Sequence, residues 1–152
     1  LNYQNWRLRV DGNQVLVSPE PYESAETLLF TAAGITEASL AFDQNMRPAV
    51  AYIQAGQAKL YWYDSAVPGQ VTTTLAAGIT SVYLTMDDKR AVATQANTND
   101  ILLFFCQNGQ LFYSQQRERF TVNRFLANNI FGGAYILHAG MNAKNRIQVE
   151  IG

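Results

Sequence analysis

The chain has 152 residues, enough for one domain with a sizeable core, and its charge is low and balanced: 11 Lys and Arg against 12 Asp and Glu, net −1. It shows no basic stripe to suggest nucleic-acid binding and no run of ~18 apolar residues to form a membrane helix, so neither nucleic acid nor membrane insertion is expected. A single cysteine, Cys106, excludes an intrachain disulfide and leaves the compartment open.

Before Trp6 the chain opens on Leu1, with no initiator methionine and no signal-peptide pattern. It therefore reads as a fragment, a processed product or an excised domain. Residues 6–18, WRLRVDGNQVLVS, read as a β-hairpin turning at Asp11-Gly12. Next comes TAAGITEASLAFD (31–43), in which SLAF is a short strand running into the polar turn DQNMRP. AVAYI is a near-continuous apolar run, the pattern of a strand covered on both faces. AGQ is a tight turn, and KLYWY (59–63) is an aromatic strand.

The phrase then recurs. Ala77-Gly78-Ile79-Thr80 repeats Ala33-Gly34-Ile35-Thr36 at an offset of 44, with Leu84, Met86 and Asp87 matching Leu40, Phe42 and Asp43. VYLTM runs into DDKR, and VATQANTND (92–100) reads as a polar loop insertion. ILLFFC is the second doubly covered strand, and Asn108-Gly109 is the strongest hairpin signal in the chain, because both residues tolerate positive φ. LFY (111–113) matches LYW (60–62) at an offset of 51. Arg117-Glu118-Arg119 reads as a solvated turn, and residues 134–151 as a last hairpin turning around 140–145. No segment sustains helical apolar spacing over two turns, so helix content near zero is expected.

Units of about 44 residues with four short antiparallel strands have the period of a propeller blade. A lone four-stranded sheet cannot cover its own apolar faces, so stacked copies are required and the repeated phrase is first a packing device. The expected fold is one all-β domain over 1–152, propeller-like, with about three blade-like repeats, either part of a longer propeller or completed by other copies. An open β-sandwich is the alternative.

No catalytic constellation emerges. The lone His138 lies in YILHAGM without a nucleophile elbow, and reads as a satisfied strand or interface residue. Asp87-Asp88 would point to opposite faces of a strand and suit a turn better. Asp43-x-Asn45 lacks the glycine and glutamate of a calcium loop, and paired His/Cys ligands for a metal are missing. Cys106, in an apolar run, reads as a buried thiol. The expectation is a non-enzyme with no metal and no cofactor.

Binding has more support. On a strand, Tyr61 and Tyr63 face one way and Trp62 the other, so one set can pack inside while the other meets a ligand; Phe112 and Tyr113 echo them in the second unit. Exposed aromatics suit sugar faces and protein partners. Tyr61, Trp62, Tyr63, Phe112 and Tyr113 are therefore the candidate ligand-binding residues. Gln54, Gln57, Gln107, Gln110, Gln115 and Gln116 surround them, with amides suited to glycan hydroxyls or to solubilising edge strands without charge.

Residues 39–64 resemble blades of sialidase-like (BNR-type) propellers, but the Ser-x-Asp-x-Gly-x-x-Thr-Trp box occurs nowhere and the family's arginine cluster and tyrosine nucleophile have no counterpart, so sialidase activity is not implied. Residues 81–126, with DDKR, NDILLFF and NGQLFYSQQRERF, resemble segments of tailed-bacteriophage tail proteins, and GMNAKNRIQVEI (140–151) is similar to their C-terminal strand. That resemblance implies a virion component, structural or host-recognising, whose partners are other tail proteins or copies of itself, and a bacterial surface glycan. A secreted or cell-surface carbohydrate-binding propeller lectin is the alternative, followed by a glycoside hydrolase, which needs two inward carboxylates.

Overall fold

The structure, a computed structural model, describes residues 5–21, 25–86, 100–141 and 146–152. The expected Asp87-Asp88 turn, most of the polar insertion at 92–100, the tip of the last hairpin and Leu1 lie outside them. The described residues form thirteen strands and one three-residue 3-10 turn, Gln116–Glu118, as the absence of helical spacing predicts.

The strands fall into four antiparallel sheets in chain order. The first holds β1 (Trp6–Asp11), β2 (Gln14–Pro19) and β3 (Thr27–Thr31). The second holds β4 (Ile35–Phe42), β5 (Pro48–Gln54), β6 (Gln57–Tyr63) and β7 (Gln70–Thr74). The third repeats that meander with β8 (Ile79–Met86), β9 (Ile101–Gln107), β10 (Gln110–Gln115) and β11 (Arg124–Ala127), and the fourth pairs β12 (Ile136–Met141) with β13 (Ile147–Ile151). The first hairpin forms with its turn one residue later than expected, since Asp11 still pairs with Gln14 and Gly12-Asn13 make the turn. The fold is all-β, and β4 and β8 begin one 44-residue period apart.

The sheets stack face to face. Val15, Val50 and Tyr52 join the first to the second, with Phe30 and Tyr61 packed against them. Leu60, Trp62, Val82, Leu103 and Phe105 join the second to the third. Phe104, Cys106, Leu111, Ile136 and Ala139 join the third to the fourth. The central strands β5 and β9 are thus covered on both sides, which is why AVAYI and ILLFFC lack a polar alternation. Burying a side chain the size of Leu60 or Phe104 contributes about 1.5–3 kcal/mol, and these stacked interfaces hold most of the core.

The repeated phrase has a second role in polar bonding. Gln54 Nε2 donates to Ala33 O at 2.7 Å, and Gln107 Nε2 donates to Ala77 O at 2.6 Å, so the same amide latch closes onto both Ala-Gly-Ile-Thr segments. Each segment then carries a β-bulge in the same place, between Ile35 and Glu37 and between Ile79 and Ser81. Beyond the bulge, side chains of one first strand reach the backbone of the next. Glu37 Oε1 accepts from Val82 N at 2.8 Å and Ser39 Oγ from Leu84 N at 2.9 Å. One period on, Ser81 Oγ accepts from Ile136 N at 3.0 Å and Tyr83 OH meets His138 Nδ1 at 3.3 Å. The Val82, Leu84 and Ile136 N–H groups, on strand edges that no neighbouring strand pairs, are satisfied in this way.

Candidate functional site

Meander topology puts the β4–β5, β6–β7 and β10–β11 connections at one end of the stack, opposite the hairpin turns at 55–56 and 108–109. At that end, between the second and third sheets, lies a cleft of about 380 Å³. Three turns build it, and each is organised by a buried aspartate.

Asp43 ends β4 and folds the next turn around itself. Its Oδ1 accepts from Asn45 N at 2.8 Å and Arg47 N at 3.0 Å, and its Oδ2 from Arg47 Nε at 2.6 Å. This is a turn cap, in line with the sequence's failure to complete a calcium loop. Asp64 ends β6; its Oδ1 accepts from Ala66 N at 2.9 Å and its Oδ2 from Arg119 Nη2 at 2.6 Å, across the gap between the two sheets. The Arg119 guanidinium, seconded by the Ala66 N–H, holds the Asp64 carboxyl below the usual range. Asp100 opens β9; its Oδ1 accepts from Arg117 N at 2.9 Å, and its Oδ2 lies 3.5 Å from Arg117 Nε.

The aromatic floor comes from the end of β6. Trp62 is only 3% exposed, edge-on to Phe120 at 5.1 Å, with Nε1 donating to Thr73 Oγ1 at 3.0 Å. The Arg47 guanidinium lies over the Tyr63 ring, 3.6 Å from its centroid. Gln44, Ser65 and Gln116 add amides and a hydroxyl to the wall. Two consecutive non-glycine residues, Arg119 (φ 53°) and Phe120 (φ 55°), adopt the left-handed conformation, which swings Arg119 to Asp64 and Phe120 to Trp62. Such strain costs roughly 1–2 kcal/mol per residue and concentrates where a site is shaped.

Of the five candidate aromatics, Trp62 and Tyr63 line this cleft and the other three lie elsewhere. Tyr61 packs backward on Phe30, with centroids 4.7 Å apart, and its burial pushes the phenol up. Phe112 stacks on Phe105 at 5.5 Å, and Tyr113 on Phe104 at 5.8 Å. Those two stacks are cross-strand pairs within the third sheet, and beyond them Tyr61 packs between the first and second sheets, Phe112 between the second and third, and Tyr113 between the third and fourth. The glutamines divide too: Gln54 and Gln107 are latches, Gln57 Nε2 donates to Leu75 O at 2.9 Å, Gln115 accepts from Arg117, Gln110 is exposed, and Gln116 reaches the cleft.

Arg117-Glu118-Arg119 is more than a solvated turn. Arg117 and Arg119 line the cleft while Glu118 pairs with Arg124. Among the described residues no group of three or more His, Cys, Asp and Glu is placed to hold a metal, and no helix is long and apolar enough to cross a membrane. Cys106 is 2% exposed, and burial pushes its thiol up. In comparisons with known proteins, no family model, curated protein or solved structure matches the chain.

Proposed function

We propose that the chain is a non-catalytic component of a bacteriophage tail that binds a bacterial surface glycan in the cleft between its second and third sheets. The observation that carries this reading is the convergence of Trp62, Tyr63, Gln44, Ser65 and Gln116 in one concave site. Its size falls within the usual range of ligand pockets, and flat rings beside amides and hydroxyls match the faces and edges of a sugar. The resemblance of residues 81–126 to tail proteins supports the virion setting, where the chain would dock with other tail proteins or with copies of itself.

The carboxylates favour binding over hydrolysis. Asp43, Asp64 and Asp100 each accept backbone N–H groups and face a guanidinium. A glycosidase needs one carboxyl raised toward neutrality as its acid, whereas Asp64 is lowered. The lectin alternative calls for a sugar site at equivalent positions of every unit. In the register of the two hairpins Leu60 corresponds to Tyr113 and Trp62 to Gln115, so the third sheet does not repeat this aromatic wall.

Binding of the fluorescently labelled chain to intact bacteria across a panel of surface-polysaccharide types tests the reading. Strain-selective binding that falls in Tyr63→Ala, with the fold retained, is expected. Uniform absence of binding, or binding indifferent to Tyr63→Ala, overturns it.

A further inference from the structure

The charges of this cleft are sorted by depth. The Asp43, Asp64 and Asp100 side chains are 2%, 5% and 8% exposed, whereas those of Arg47, Arg119 and Arg117 are 33%, 56% and 53% exposed. The six formal charges balance, yet the carboxylates are nearly covered while the guanidiniums stand a third to a half open. Asp43 and Asp100 reach the lining, but each is nearly covered and faced by a guanidinium, so the open charges a ligand meets on entering the cleft are the three cations.

The guanidiniums are also held in place before any ligand arrives. Arg47 is fixed by Asp43 and by the Tyr63 ring, and Arg119 by Asp64 through Nη2. Arg117 is held by Gln115 Oε1, with Nε and Nη2 at 3.1 and 2.9 Å. Each guanidinium has five N–H donors, so its protein partners leave others for a ligand, and a planar fork is matched to a carboxylate. The buried aspartates also let three cations share one cleft in the empty protein without repelling one another.

From this arrangement we infer that the cleft selects an acidic glycan, one whose sugars carry carboxylate or other anionic groups that Arg47, Arg117 and Arg119 receive. The inference rests on the glycan reading of the cleft and adds the charge class of the ligand. Tyr63 and Trp62 supply the apolar wall for a ring, and the three arginines read its substituents. Net charge gives no hint of this, because the whole chain is at −1.

The test takes the polysaccharide that retains the chain best in the cell panel and compares it with the same material after chemical reduction of its carboxylates to alcohols. Removing a charge-assisted contact is expected to weaken binding about tenfold or more. Arg117→Gln should lose affinity for the untreated polymer while Arg117→Lys recovers part of it; Arg117 is the arginine of choice because its backbone N–H still caps Asp100. Binding to the acidic polymer should also weaken as NaCl rises from about 0.05 M to about 0.5 M. A best-binding polymer that is neutral, or an affinity unchanged by carboxyl reduction and by Arg117→Gln, overturns this inference and leaves the glycan reading intact. Failure to bind any polysaccharide overturns both.

Discussion

Ser81 and Glu37 occupy the same position in consecutive units and hydrogen-bond to each other: Ser81 Oγ donates to Glu37 Oε1 at 2.7 Å, across one 44-residue period. Ser81 is fully buried, and its oxygen also accepts from Ile136 N at 3.0 Å. One hydroxyl therefore ties three first strands together. Ser81→Ala leaves a carboxylate oxygen and a backbone N–H short of a partner, and should destabilise the chain by about 1–3 kcal/mol. Urea unfolding monitored by tryptophan fluorescence measures it, and a loss under a few tenths of a kcal/mol would refute this role.

The two hairpin turns differ in one residue. Ala55-Gly56 and Asn108-Gly109 both have positive φ at both central positions, the pattern of a type I′ turn, but Ala55 pays a steric penalty there that Asn108 largely avoids. Ala55→Asn copies the second repeat into the first. It should raise stability by about 0.5–1 kcal/mol, read as a higher melting temperature.

Trp62 and Tyr63 are adjacent but should behave differently. Trp62 is buried against Phe120, so Trp62→Ala should cost about 3–5 kcal/mol and confound any binding assay. Tyr63 is half-buried beneath Arg47, and Tyr63→Ala should keep the fold while removing part of the cleft wall. Thermal melts of both variants beside the wild type separate the two effects.

Acid should loosen the cleft. The Asp64 carboxyl lies lower in the folded chain than in the unfolded one, chiefly through Arg119, so its stabilisation is complete above the ordinary aspartate value of about 3.9 and is lost as pH falls through the folded value. Glu26 beside Arg9 and Glu118 beside Arg124 act in the same direction. Melting temperature should therefore drop below about pH 4, and the gap between wild type and Asp64→Asn should narrow over that range. A gap constant down to about pH 2.5 would contradict the pairing.

Much of the fold was legible because burial leaves a mark on composition: AVAYI and ILLFFC are apolar throughout since both their faces are covered, and the two Ala-Gly-Ile-Thr segments reveal the period. The outer strands β3, β7 and β11 carry weaker signals, since each pairs on one side only and is largely exposed or half-buried. The site was half legible. Tyr63 and Trp62 stand out as aromatics, but Arg47, Arg117 and Arg119 come from turns in two different sheets. Asp64, Asp100 and the left-handed pair Arg119-Phe120 bring those turns together, and no local spacing in the sequence records that meeting. Tyr61, Phe112 and Tyr113 look equally exposed in sequence, and only the stacking of neighbouring sheets covers them.

The most direct test of the ligand site is to map it by nuclear magnetic resonance. The ¹⁵N-labelled chain would be titrated with oligosaccharides cut from the polysaccharide it binds best. The predicted result is shift changes in the Trp62 indole N–H and in the amides of residues 43–47, 63–66 and 115–119. Shifts confined to other surfaces, such as β12 and β13, with those signals unmoved, would contradict a ligand site between the second and third sheets.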